Sequence, residues 1–71
     1  MYYDLVESGK RIKALRKKHG LTQEQLAEQL GVAATTIARI ETGNRGISID
    51  LAIEFVVRFE TTLDYIFLGR E

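Results

Sequence analysis

Arg39 and three small residues near it, Ala34, Thr35 and Ala38, are the side chains of this chain best suited to a specific chemical task. A helix turns about 100° per residue. With Ile37 as the inward direction, Ala33, Ile40 and Glu41 lie within about 60° of it, while Ala34, Thr35, Ala38 and Arg39 span the opposite side. A guanidinium there can donate two hydrogen bonds to O6 and N7 of guanine, and the methyl groups of Ala34, Thr35 or Ala38 can meet the methyl of thymine. Side chains this short also let a helix press into a groove. Taken alone, the same pattern describes an ordinary solvated helix face.

A second set of residues suits phosphate. Gln23 opens a helix just after Thr22, and the free backbone N–H groups at such an end attract anions. Asn44 and Arg45 follow the Arg39 helix directly, and Thr36 lies on it; each carries a donor for phosphate oxygens. Lys10, Lys13 and Lys17 lie together on the solvent side of the first helix and read as a solvated stripe.

Catalysis has no comparable case. The chain has one histidine, His19, and no cysteine. It shows no nucleophile–base arrangement, phosphate loop or cluster of metal ligands. The expectation is a binding protein with no catalytic residue, metal, cofactor or small-molecule ligand. His19 falls on the inward side of the first helix's last turn, which fits packing or capping.

Holding Arg39 and Gln23 in place takes two short helices hinged at one glycine, over about residues 22–42. Thr22 with Gln25 three residues later fits a capping box, which starts one helix over about Gln23–Leu30. Ala27 is small enough for a second helix to cross closely. Gly31 ends the first helix, where a left-handed residue without a Cβ costs least. Ile37 and Ile40 give the second helix, about Ala33–Thr42, an inward face at i, i+3, and Gly43 stops it. Two such helices meet at roughly 90–120° and leave the second free to enter a groove of DNA.

The flanking chain predicts three more helices. The first begins near Asp4 and Glu7 and runs to about Lys18, with Leu5, Ser8, Ile12, Leu15 and His19 on one face. Asn44-Arg45-Gly46-Ile47 reads as a loop. Ser48 caps a helix over about Ile49–Glu60, Thr62 caps another over about Leu63–Phe67, and Gly69 to Glu71 form a tail. The fold class is therefore all-α, a compact five-helix domain over residues 1–71.

Composition bounds the rest. Seventy-one residues make one small domain, near the lower limit for a core without staples. No apolar run approaches the ~20 residues of a membrane span, and the start of the chain has no signal-peptide pattern, so a cytoplasmic location is expected. Formal net charge is zero, whereas nucleic-acid-binding domains are commonly basic. The charge is unevenly spread. Residues 1–20 carry six cations against two acids, and residues 21–71 carry four against eight. Long-range attraction to DNA should be weaker than for a basic protein.

Laid out this way, the chain resembles the Cro/repressor-type helix-turn-helix family, also called the XRE family, from about Gly9 to Phe67. The resemblance rests on Arg11-Ile12-Lys13-Ala14-Leu15-Arg16, Gly20-Leu21-Thr22-Gln23-Glu24, Leu26-Ala27, Leu30-Gly31-Val32, Thr36-Ile37, Ile40-Glu41, Gly43 and Leu63-Asp64. It implies a lambda-repressor-like domain that binds operator DNA as a dimer, with base reading by the outward face of the second motif helix. It also implies backbone contacts at Gln23 and Thr22. Two departures stand out. Ala33 occupies a capping position where the family has Ser or Thr, and Gly46-Ile47 replaces a proline.

Arg16 and Glu41 each lie about 40° from an inward apolar residue, and buried charges must be paired. The resemblance implies an Arg16–Glu41 bridge; two independent, partly exposed side chains are the alternative. Glu24 and Glu28 stack at i, i+4 on the first motif helix. Some relatives that activate transcription touch RNA polymerase through acids there, although a plain solvated face is the simpler reading.

The fourth helix carries more apolar surface than a small domain can cover. Asp50, Glu54 and Arg58 form a polar stripe spanning about 80°, and apolar side chains fill an arc of about 240°. A homodimer through Leu51, Val57, Tyr65, Phe67 and Leu68 is the economical expectation. The functional expectation is a homodimeric repressor of a phage, mobile element or restriction-modification system, reading an inverted repeat in double-stranded DNA. The alternative is a protein-interaction module, such as an antitoxin, using the apolar surface of the last two helices.

Overall fold

Asp4, Thr22, Ser48 and Thr62 each turn a side-chain oxygen onto a backbone N–H two or three residues ahead, and a helix starts at each. The computed structural model describes residues 4–70. It forms α1 (Leu5–Lys18), α2 (Gln23–Leu30), α3 (Ala34–Thr42), α4 (Ile49–Phe59) and α5 (Leu63–Leu68), with no strand among the described residues. Glu71, the end of the expected tail, lies outside them. The Thr22 capping box is complete: Gln25 N donates to Thr22 Oγ1 at 3.0 Å, and Thr22 N donates to Gln25 Oε1 at 2.9 Å. That satisfies two amides that the first turn leaves without helical partners.

Three boundaries differ from the sequence reading. Ala33 precedes α3 as its N-cap, exposed and with no side-chain cap, because a methyl group cannot accept a hydrogen bond. Helix α4 ends at Phe59, with Glu60 in the left-handed region at φ 52°. A non-glycine residue there costs about 1–2 kcal/mol, and nothing in the residue type announces it. Helix α5 gains Leu68 before Gly69 closes it.

Every helix contributes to one core: Ile12 from α1, Leu26 and Ala27 from α2, Ile37 and Ile40 from α3, Ala52, Phe55 and Phe59 from α4, and Ile66 from α5. Ile47 joins them from the loop where the family has its proline nearby. The inward face of α1 departs from the expected one at its first and last turns. Ser8 and Ile12 are buried, Leu15 is half-buried, and Arg16 is buried as its angle to Ile12 suggests; Leu5 and His19 are exposed, and Gly9 is buried. His19 still packs: its ring meets Phe59 edge-on, with centroids 4.7 Å apart, and Nδ1 lies 2.9 Å from the Leu15 carbonyl oxygen.

Gly9 is buried where α1 crosses α3. A Cβ at this position would run into the carbonyl oxygen of Ile40 and lie 2.7 Å from that of Glu41. Its missing side chain lets the α1 and α3 backbones touch. Gly9→Ala is expected to push the helices apart and cost about 1–3 kcal/mol, as overpacked sites do. Thermal unfolding checks this; a variant as stable as the wild type would show that the crossing tolerates a wider spacing.

Candidate nucleic-acid interface

Helix α3 is held from behind. Ile37 and Ile40 are buried against the core, and Glu41, at 2% side-chain exposure, anchors the last turn. The opposite edge presents Thr35 and Arg39, both exposed and one turn apart, with Ala38 half-buried between them. Among the described residues, the Arg39 guanidinium has no hydrogen-bond or ion-pair partner. A forked donor left free on such an edge can pair with a guanine edge. Ala34 differs from expectation: it is half-buried and packs against the core, which leaves it less surface for a base.

The anchor is a charged pair. Arg16 Nε donates to Glu41 Oε2 at 2.6 Å and Nη2 donates to Oε1 at 3.1 Å, so the guanidinium grips the carboxylate with two bonds. Its Nη1 donates to the Leu21 carbonyl at 2.7 Å, reaching the segment that leads into α2. The hydrogen bond to Glu41 holds Arg16 above the usual arginine range against the opposing effect of burial. One guanidinium therefore ties α1, the start of the motif and the end of α3 together.

The phosphate candidates divide. Gln23 is half-buried, and its Nε2 donates to Glu41 Oε1 at 3.0 Å. Thr22 is exposed, but its backbone N–H and hydroxyl oxygen serve the capping box. Asn44 and Arg45 are exposed just beyond α3. Thr36 faces elsewhere: it lines a shallow cleft of about 330 Å³ between the motif and α4 with Arg45, Leu51, Asp50 and Glu54. A phosphate at Thr36 would meet those two carboxylates. Glu24 and Glu28 are exposed on α2, and Lys10 pairs with Glu7 at 3.2 Å.

The apolar excess of α4 is real but lies on one edge. Ala52, Phe55 and Phe59 face the core, whereas Ile49, Ile53 and Val57, four residues apart, are 60%, 45% and 72% exposed. Of the expected interface residues, Val57 and Leu68 are exposed, Tyr65 is half-buried, and Leu51 and Phe67 pack against the core of their own chain. Ile49 and Ile53 lie outside the expected interface set; their i, i+4, i+8 spacing with Val57 is the sequence signal for this edge.

Among the described residues, no three His, Cys, Asp or Glu side chains gather as a metal-holding group, and no helix is long and apolar enough to cross a membrane.

A family model described as helix-turn-helix matches residues 12–66. An HTH-type transcriptional regulator of Methanocaldococcus jannaschii is 40% identical over 58 residues, which cover 82% of this chain and 88% of that protein. Other curated relatives, from Pyrococcus and Thermococcus, are far longer, and the chain spans only 17–18% of their length. The restriction-modification controller protein C.AhdI of Aeromonas hydrophila superposes with a TM-score of 0.80 at 30% identity, covering 90% of this chain and 97% of that one. The P22 c2 repressor, solved with a synthetic operator, gives 0.83 at 25% identity, covering 89% and 96%.

Proposed function

The chain belongs to the helix-turn-helix family of DNA-binding transcriptional regulators, and from that premise we propose that it reads an inverted-repeat operator as a homodimer, with α3 in the major groove. The observation that carries this reading is the free Arg39 guanidinium beside exposed Thr35, on a helix pinned from behind by Arg16 and Glu41. Arg39 and Thr35, with Ala38 between them, read base edges; Ala34 contributes at most a methyl contact. Gln23, Asn44 and Arg45 hold the sugar–phosphate backbone, with Thr22 as a lesser contributor, and Thr36, beside Asp50 and Glu54, is left out of the contact. The protein acts by binding alone, in the cytoplasm, as a repressor in a phage, mobile element or restriction-modification system. Likeness to a phage repressor and to a restriction-modification controller supports that setting. Glu24 and Glu28 are read as a solvated edge, and a polymerase contact through them would make the protein an activator.

Selection of bound sequences from a random DNA pool tests the proposal. The wild type is expected to enrich an inverted repeat whose half-sites lie about 10 bp apart, with affinity falling as salt rises. Arg39→Ala should lose preference at one base pair per half-site, at about 1–3 kcal/mol. An equal loss on every sequence would remove Arg39 from base reading. Failure to enrich any motif at low salt would favour the second reading, an antitoxin-like interaction module, which the exposed Ile49–Ile53–Val57 edge supports.

A further inference from the structure

Gln23 Nε2 and Arg16 Nη2 share one acceptor, Glu41 Oε1, at 3.0 and 3.1 Å. The carboxylate is almost wholly buried and can only accept. This fixes the Gln23 amide the right way round: its nitrogen, not its oxygen, must face Glu41. A side-chain amide nitrogen carries two hydrogens, which diverge within the plane of the group. One is held by Glu41. The other has no partner among the described residues, and Gln23 is half-buried at the first position of α2.

We infer that Glu41 is a positioning residue for DNA backbone contact: it holds the Gln23 amide in one orientation so that the second N–H is presented to a phosphate at the start of α2. The inference rests on the proposed role of Gln23 in DNA binding. The buried pair then does more than fix α3. Arg16 orients Glu41, Glu41 orients Gln23, and Gln23 meets the phosphate from a rotamer set before DNA arrives, which reduces the ordering cost of binding. The backbone-reading start of α2 and the base-reading α3 are thereby registered through one carboxylate.

The test is a double-mutant cycle on operator binding with Gln23→Ala and Glu41→Gln, folding being followed by circular dichroism. Gln23→Ala is expected to weaken binding about tenfold, equally on operator and non-operator DNA, as loss of a hydrogen bond to a charged group would. With affinity corrected for the folded fraction, Glu41→Gln should give a similar loss in the wild-type background and almost none when Gln23 is already Ala. Unchanged affinity of Gln23→Ala would remove Gln23 from DNA binding and the inference with it. A loss in Gln23→Ala alongside equal Glu41→Gln losses in both backgrounds would leave the contact standing and overturn the positioning role. If Glu41→Gln does not fold, nuclear magnetic resonance of the wild-type Gln23 side chain decides. An amide immobilised before DNA is added, with one hydrogen shifting on titration with operator, is expected; an amide that reorients freely in the unbound protein overturns the inference.

Discussion

Arg16→Met and Glu41→Leu are each expected to cost about 3–5 kcal/mol of stability, because either leaves a buried charge without its partner. In Arg16→Met, Glu41 would keep only the neutral Gln23 amide as a donor. In Glu41→Leu, Arg16 would keep only the Leu21 carbonyl. Small domains are typically stable by only about 5–15 kcal/mol, so either loss would leave a substantial unfolded fraction. The double replacement should recover part of the loss, since apolar residues of similar volume substitute tolerably for a buried pair. Urea unfolding of the four proteins gives the coupling directly. Additive losses below about 0.5 kcal/mol each would mean that the pair behaves like an exposed surface bridge. Operator affinity should fall with stability in the single variants and recover only partly in the double, because Gln23 stays without its acceptor.

That pair also marks the limit of what could be read from residue order. Its angular placement showed two charges on inward faces, but the pairing itself came from likeness to a family. Local devices were more legible. The caps at Thr22, Ser48 and Thr62 act over three residues, and Gly31 closes α2 at φ 71° as its residue type suggested. Contacts that depend on how helices cross were not legible. Gly9 adds nothing to an apolar periodicity, yet its missing side chain sets the α1–α3 spacing. The Gln23–Glu41 bond joins residues 18 apart in the chain and exists only once α2 and α3 have met. Likewise, Arg11 Nε donates to the Ile66 carbonyl at 3.2 Å and ties α1 to α5, a partner its own neighbours do not suggest. In α4, hydrophobicity alone could not divide the apolar arc between the core and the outside. Leu51 and Val57 look equivalent in sequence, but about 120° of helix separates them, and only Val57 is left exposed.

That division sharpens the dimer proposal into a separable experiment, Val57→Glu. A charge at Phe67 would disturb the core against which that ring packs, so loss of fold would accompany any loss of assembly. Val57 is 72% exposed, and its substitution should leave the monomer's circular dichroism and melting nearly unchanged. In a dimer, burying Val57 with Ile53 and Ile49 from both copies would remove large aliphatic side chains from water, at about 1.5–3 kcal/mol for each one fully buried. Two glutamates brought together at a two-fold axis would oppose that association and also lose the apolar contact. Binding to a full inverted repeat should then fall by roughly 10²–10⁴-fold, the range by which linked half-sites exceed single ones. Binding to an isolated half-site should change little. Sedimentation and operator titration on the same sample separate assembly from recognition. A wild-type protein that stays monomeric at about tens of micromolar and binds isolated half-sites as tightly as the full repeat would refute the dimer. A Val57→Glu variant that dimerises normally would instead move the interface away from this edge of α4.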